Sequence, residues 1–191
     1  ALVINEICAS SITTLKDEDG DYPDWIEIHN TTNQTIDLSN YALSDSTDKL
    51  VKWRFPQGST IAPNGYFVVF ASKKDRAAAE GSWPHANFKL RSNGETVILS
   101  DIQGRMVDMV TYDLLSADTS WGRDEEGDGS FKVFTSPTPG LPNTRAGMTA
   151  MDTALCLANT SGLYITEVMT GNKSIHGPNV TYFYDYIEIY N

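Results

Sequence analysis

The chain has 191 residues, with 14 lysines and arginines against 25 aspartates and glutamates, so its formal net charge is −11. An acidic surface without a basic patch repels phosphate groups, so nucleic acid and anionic membranes are not expected partners. No stretch approaches the roughly 20 apolar residues of a membrane span, and we expect no transmembrane segment.

Short apolar runs bounded by turn residues predict an all-β domain. The predicted strands lie at residues 2–8, 24–30, 35–38, 41–44, 50–55, 66–71, 87–90, 96–100 and 105–112. The run at 66–71 is almost wholly apolar, which predicts a central strand covered on both faces. Asn93-Gly94 predicts a hairpin turn between the strands that flank it. Residues 105–112 carry apolar side chains on both faces, so the sequence does not decide which face points inward. Many short strands with little helical periodicity indicate a β-sandwich.

The beginning of the chain returns near its end. The gapless alignment pairs Ile4 with Ile165, Glu6 with Glu167, Asp24 with Asp185, and Asn30 with Asn191. The repeated stretch covers two predicted strands. We therefore expect one complete β domain followed by the first two strands of a second copy.

The domain boundaries follow from proline. Pro137, Pro139 and Pro142 cannot join an interior sheet ladder, so the first domain is expected to end in this stretch. We predict a first domain at 1–143, a linker at 144–161 and a truncated second copy at 162–191. Apolar residues at helical spacing between 148 and 158 allow a short helix in the linker.

The two cysteines are Cys8, in the first predicted strand, and Cys156, in the linker. The second copy has Met169 in place of Cys8, which favours a small buried thiol at this position. A disulfide between Cys8 and Cys156 stays an open alternative.

The order of several short motifs resembles the lamin tail domain. In chain order they are Ile4-Asn5-Glu6-Ile7, Asp24-Trp25-Ile26-Glu27-Ile28, residues 38–43, Trp53-Arg54-Phe55, Gly65-Tyr66-Phe67-Val68-Val69, Phe88-Lys89-Leu90 with Gly94-Glu95, Ser120-Trp121-Gly122-Arg123 and residues 137–143. They cover residues 2–143, and residues 163–191 match the first two strands again. The resemblance implies an immunoglobulin-like β-sandwich without catalytic residues.

The same resemblance implies where the protein acts. Lamin tail domains occur in nuclear intermediate filaments and in bacterial secreted or surface proteins, where they resemble attachment modules. No coiled-coil heptads precede the domain in this sequence, which favours the bacterial, extracellular or cell-surface branch. A signal sequence would then lie outside residues 1–191.

No enzyme motif supports catalysis, and we expect neither catalytic residues nor a cofactor. The sequence lacks Gly-x-Ser-x-Gly, His-Glu-x-x-His and a phosphate loop, and His29, His85 and His176 are isolated from one another. The expected function is a non-catalytic structural or interaction module of a larger protein, which binds a protein or a cell-envelope component. The alternative is a carbohydrate- or calcium-dependent binding module appended to a surface enzyme. The strands at 163–191 lack the rest of their sheet, so a homodimer through this hairpin is a further possibility.

Glu6 and Glu27 are the first binding candidates, because the second copy repeats them as Glu167 and Glu188. An Ile-Glu-Ile strand places the glutamate on the face opposite the isoleucines. Such carboxylates either satisfy turn amides or pair with arginine, or they form a paired site for a cation or a sugar. The sequence leaves these alternatives open.

Two tryptophans and one acidic loop complete the candidates. Trp83 and Trp121 could form an exposed carbohydrate platform, although core packing is the alternative. Asp124, Glu126 and Asp128 occupy the first, third and fifth positions of a loop that resembles an EF-hand. Because Thr135 stands where the bidentate glutamate belongs, they are weak calcium candidates, and we predict no metal. The acidic residues at 17–21 are interpreted as a solvated loop.

Overall fold

The computed structural model describes residues 1–159, 164–169 and 186–190. The strands are β1 (Leu2–Cys8), β2 (Asp24–Asn30), β3 (Ile36–Asp37), β4 (Tyr41–Ser44), β5 (Trp53–Arg54), β6 (Thr60–Ile61), β7 (Tyr66–Ala71), β8 (Gly94–Asp101), β9 (Met106–Asp113), β10 (Ser120–Arg123), β11 (Phe131–Phe134), β12 (Tyr164–Met169) and β13 (Tyr186–Tyr190). A single 3-10 turn at Leu38–Asn40 links β3 to β4, and a helix, α1, spans Arg145–Asn159.

Two antiparallel sheets form the predicted immunoglobulin-like β-sandwich. One has the strand order β11-β10-β1-β2-β7 and the other β5-β4-β8-β9, while β3 and β6 make a small separate ladder. Alternating apolar residues from both sheets meet in one core, because successive side chains of a strand point to opposite faces. Fully buried members of this core include Ile4, Ile7, Ile26, Ile28, Leu43, Val69, Val97 and Leu99.

Two strand predictions are wrong in detail. Strand β7 lies at the edge of its sheet, not in the centre, and residues 84–88 cover its free side. Residues 87–90 do not form the predicted hairpin with 96–100, since β8 pairs with β4 and β9 instead. The apolar alternation at 88–90 reflects Phe88 and Leu90, which are buried in the core from an irregular segment beside β7.

The structure decides which face of residues 105–112 points into the core. Val110 and Tyr112 on β9 point into the core, whereas Met106, Val107 and Met109 are exposed. Asp108 lies on the inward-facing side, where its Oδ2 accepts a hydrogen bond from Ile4 N at 2.8 Å. The mixed sequence pattern therefore comes from apolar residues that remain on the outer face.

The outer face of the five-stranded sheet carries a second, smaller apolar cluster. Cys8, Trp25, Val68 and Phe70 are all fully buried there. Trp25 Nε1 donates to Thr14 Oγ1 at 3.0 Å, so the loop between β1 and β2 folds over this cluster. Cys8 is a free thiol, and burial raises its pKa to about 12. The side chain of Cys156 lies outside the described residues.

Strands β12 and β13 pair in the same register as β1 and β2. Ile4 faces Ile28 and Glu6 faces Glu27, with an irregularity at Asn5 between them. In the later hairpin, Ile165 faces Ile189 and Glu167 faces Glu188, with the irregularity at Thr166. The sequence repeat thus extends to strand pairing and to the position of the bulge.

The chain divides into two compact units, Ala1–Met151 and Asp152–Asn191. The first unit contains the whole predicted domain 1–143 and the beginning of α1. The helix itself agrees with the apolar spacing noted in the linker. No helix within the described ranges is both long enough and apolar enough to cross a membrane.

Candidate functional site

Glu6 and Glu27 stand opposite each other on β1 and β2, and neither side chain is exposed to solvent. The bulge at Asn5 explains their placement. Ile4 and Ile7 both face the core although they are three residues apart, so Asn5 and Glu6 both turn to the outer face of the sheet. The bulge therefore brings a carboxylate and an amide side chain to one place.

Glu6 is held by groups from two other segments. Oε1 accepts a hydrogen bond from the Ser120 hydroxyl on β10. Both carboxyl oxygens lie 3.2 Å from Thr138 N, and Oε2 is also 3.2 Å from Thr138 Oγ1. Glu6 thus connects the sheet to the proline-rich stretch that follows β11.

Glu27 makes two contacts of the same kind. Its Oε1 accepts from Asn5 Nδ2 at 3.0 Å, and its Oε2 accepts from Gly140 N at 2.6 Å. Among the described residues, neither Glu6 nor Glu27 has an ion-pair partner. Backbone amides and neutral side chains satisfy these carboxyl groups instead.

Glu125 is the third carboxylate of the site, and no sequence pattern indicated its role. Oε1 accepts from Asn5 Nδ2 at 3.0 Å and from Asn143 N at 3.1 Å, while Oε2 accepts from Tyr66 OH at 2.7 Å. Tyr66 in turn stacks on His29, with 4.4 Å between the ring centroids. We call the three glutamates together with residues 138–143 the carboxylate clasp.

Asn143 completes the clasp from the other side. Its Nδ2 donates to Asn5 O at 3.2 Å, and its Oδ1 accepts from Thr138 Oγ1 at 2.6 Å. Gly122 leaves room for this amide, because a Cβ at position 122 would lie 2.6 Å from Asn143 Nδ2. The glycine on β10 is therefore part of the site.

Burial controls the protonation of the clasp. It raises the pKa of Glu6 to about 7, although hydrogen bonds from Ser120 and Thr138 act in the opposite direction. Burial, followed by the charge of Glu6, raises the pKa of Glu27 well above its ordinary value. Two facing carboxyl groups without a cation do not both ionise readily, so the pair retains a proton near neutral pH.

The repeated glutamates, Glu167 and Glu188, face each other across β12 and β13 as Glu6 and Glu27 do across β1 and β2. Their side chains lie outside the described residues. A binding role for them stays a prediction.

The two candidate tryptophans are half-buried, not exposed. Trp83 packs edge-on against Phe67, with 5.3 Å between the ring centroids, and borders the small outer cluster. Trp121 stacks on Phe131 and packs against the main core. Because the two rings contact different clusters, they do not form one platform. Each ring is instead partly covered by its aromatic neighbour.

The calcium candidates form a tight turn after β10. Asp124 pairs with Lys132 at 2.8 Å, and Asp128 Oδ1 accepts from Ser130 N at 2.9 Å. These contacts lower the pKa of both carboxyl groups. Asp124, Glu126 and Asp128 are not gathered around a common point.

The carboxylates that do converge in the described part of the chain belong to Asp17, Asp19 and Asp21. Lys74 Nζ lies 2.5, 2.6 and 2.9 Å from their respective oxygens. We call residues 17–21 the acidic loop. The lysine ammonium occupies the position that a cation would take, and the loop is thereby tied to the chain after β7.

His85 makes two side-chain contacts that sequence patterns did not indicate. This fully buried imidazole has Nδ1 2.8 Å from Ser72 Oγ and Nε2 3.1 Å from Glu18 Oε2. Burial acts to raise the pKa of Glu18, but hydrogen bonds from its own backbone, Ser82 and His85 lower it to about 2. Ionised Glu18 therefore favours the Nε2–H tautomer, which leaves Nδ1 to accept from Ser72 and fixes residues 84–88 beside β7.

The fold is an immunoglobulin-like sandwich, and its buried carboxylates bind residues 138–143 of the same chain. These features define a small all-β module. The chain belongs to the lamin tail domain family, which matches residues 1–113. This is a family of non-enzymatic interaction modules. No curated protein matches the sequence.

Proposed function

We propose that this chain is a non-catalytic structural and interaction module of a larger secreted or cell-surface protein. The observation that carries the proposal is the state of the clasp. Glu6 and Glu27, the first binding candidates, are fully buried and accept hydrogen bonds from residues 138–143 of the same chain. Carboxyl groups that are buried and bonded in this way hold the domain together, and their oxygens are not accessible to a ligand.

Tandem use of the module is part of the proposal. The hairpin β12–β13 supports it, because its register and bulge follow those of β1–β2. We propose that this hairpin opens a second module in which Glu167 and Glu188 close on a segment of their own.

Surface charge favours a class of partner. The net charge of −11 favours a protein or cell-envelope component with a positively charged surface, because complementary potentials speed encounter and exclude like-charged partners. In this role the module attaches the larger protein at the cell surface.

Attachment can be measured with the fluorescently labelled chain on washed cell envelopes from the source cell. We expect saturable retention that weakens as salt is raised, with an unrelated acidic domain of equal net charge as the control. Retention no greater than that of the control would contradict the attachment role. Fractionation of the source cell with an antibody to the chain tests the surface location separately.

The ligand-binding alternative has its own test. Calorimetric titration of the chain with millimolar calcium and with a panel of glycans is expected to give no heat of binding. A saturable heat with either ligand would replace the attachment role with a calcium- or carbohydrate-dependent one.

A further inference from the structure

Five Asn-x-Ser/Thr triplets occur in the chain, each without proline in the middle, and this is the acceptor pattern for N-linked glycans. They begin at Asn30, Asn33, Asn159, Asn172 and Asn179. The side chains of the last three lie outside the described residues. The first two stand three residues apart, at the end of β2 and in the turn that follows, so their surroundings can be compared directly.

Asn30 is closed to modification. Its side chain is fully buried, and its Nδ2 donates to Gln34 O at 2.7 Å and to Ala62 O at 2.9 Å. Its Oδ1 accepts from Thr32 N at 3.0 Å and from Thr32 Oγ1 at 2.8 Å. A sugar on Nδ2 would remove a donor and would require space that the folded chain fills. Asn30 therefore serves the turn and cannot carry a glycan in the native protein.

Asn33 has the opposite surroundings. It is exposed, as are its neighbours Gln34 and Thr35. Within the described part of the chain, neither the Asn33 amide nor the Thr35 hydroxyl makes a hydrogen bond. The amide that would accept the sugar and the hydroxyl that completes the triplet are both free. A glycan here would extend into solvent without disturbing the Asn30 contacts.

We propose that Asn33 is an acceptor site for an N-linked oligosaccharide and that Asn30 is not. In the transfer, Asn33 Nδ2 forms a bond to C1 of the first sugar of a lipid-pyrophosphate-linked oligosaccharide. The bond between C1 and the pyrophosphate oxygen breaks, the lipid pyrophosphate leaves with the electron pair, and the amide releases one proton to solvent. The inference rests on the extracellular location proposed above, because oligosaccharyltransferases act on chains that leave the cytoplasm.

Occupied Asn33 would mark one end of the sandwich as solvent-facing. The N-terminal ammonium of Ala1 donates to Thr31 Oγ1 at 3.0 Å, so the chain start lies beside this turn. A branched glycan would shield both from a docking partner. Attachment would then use surfaces away from the turn after β2.

The experiment uses the full chain behind a cleavable secretion leader in cultured eukaryotic cells. The secreted protein is treated with peptide-N-glycosidase in ¹⁸O water, which converts each glycosylated asparagine to labelled aspartate. Trypsin leaves Asn30 and Asn33 in one peptide between Lys16 and Lys49, so fragment sequencing must locate the label. We expect the label at Asn33 and none at Asn30.

Matched variants sharpen the result. Asn33→Gln and Thr35→Ala should abolish the label, whereas Thr35→Ser should retain it, because serine also completes the triplet. Thr32→Ala removes the Asn30 triplet but leaves that of Asn33, so it should not change the label.

A secreted, cooperatively folding chain that is unlabelled at Asn33, or labelled at Asn30, would overturn the inference. Because the leader is supplied, such a failure bears on Asn33 alone. Fractionation of the source cell decides the location independently.

Discussion

The carboxylate clasp and the acidic loop place clusters of acidic side chains in opposite environments. In the loop, Asp19 meets both Lys74 and Arg76, whose hydrogen bonds lower its pKa. In the clasp, burial raises the pKa of Glu6 and Glu27, and within the described residues the carboxyl groups meet only neutral donors. Carboxyl clusters can therefore be stabilised either by cations at the surface or, in the interior, by neutral donors together with a retained proton.

The largest expected effect comes from truncation in the clasp. Glu6→Ala would leave the Ser120 hydroxyl and Thr138 N without a buried acceptor, and we expect it to lower the free energy of unfolding by about 2–4 kcal/mol. Glu6→Gln is the matched control, since it keeps the shape of the side chain and an acceptor for Thr138 N, while it removes the charge and places an NH2 group where one carboxyl oxygen was. In urea unfolding, the free energy of unfolding of Glu6→Gln should be close to that of the parent protein. Equal and large losses in both variants would mean that the charge itself is needed.

The pH dependence of the free energy of unfolding should reflect both the carboxylate clasp and the acidic loop. Proton binding to Glu6 in the folded state adds stability that is complete below about pH 4.5 and is lost as pH rises through about 7. Asp19 and Glu18 of the acidic loop, whose pKa values are lowered, act in the opposite direction and lose their contribution as pH falls below about 4. We expect a maximum at mildly acidic pH and a decrease of about 1–3 kcal/mol by pH 8.

Glu6→Gln supplies the control for the alkaline side, because glutamine has no proton to lose. The decrease between pH 5 and 8 should be smaller in this variant. A parent protein whose stability does not change over that interval would show that the carboxyl pair does not retain a proton near neutral pH.

A smaller effect is expected where the sheet makes room for the clasp. In Gly122→Ala the new Cβ would meet Asn143 Nδ2 at 2.6 Å and the Phe134 ring at 3.1 Å. Overpacking of this kind should lower the free energy of unfolding by about 1–2 kcal/mol. Thermal unfolding is the measurement, with Gly58→Ala as a control for a glycine that has no neighbour within 4 Å but a positive φ. If Gly122→Ala were the milder change, residues 138–143 would not be held as closely as the structure shows.

Calcium should have the smallest effect. The Lys74 ammonium already contacts all three convergent oxygens of the acidic loop and takes the place of an ion there, so millimolar calcium should leave the melting temperature nearly unchanged. A real site at a hundredfold excess over its Kd would add about 2.7 kcal/mol. A rise of several degrees that disappears in Asp17→Asn would show that the ion displaces the lysine.

Sequence patterns predicted the architecture of this chain but not the hydrogen bonds that form the clasp. Alternation and turn residues identified most strands, and the repeat singled out Glu6 and Glu27. Glu125 escaped notice because its partners Asn5 and Tyr66 are distant in sequence, and residues 124–129 carry the stronger local pattern of an ion-binding loop. The edge position of β7 was missed for a similar reason, since residues 84–88 bury it as fully as a neighbouring strand would.

The most direct test of the clasp is a carbon-13 NMR titration of the glutamate side-chain carboxyl groups, assigned with Glu6→Gln and Glu27→Gln. We expect the Glu6 carboxyl to titrate near pH 7 and that of Glu27 well above its usual range, while Glu18 titrates near pH 2. Titration of Glu6 and Glu27 near pH 4.5 would contradict this expectation, because the pair would then be two ordinary solvated carboxylates and residues 138–143 would be held by something else.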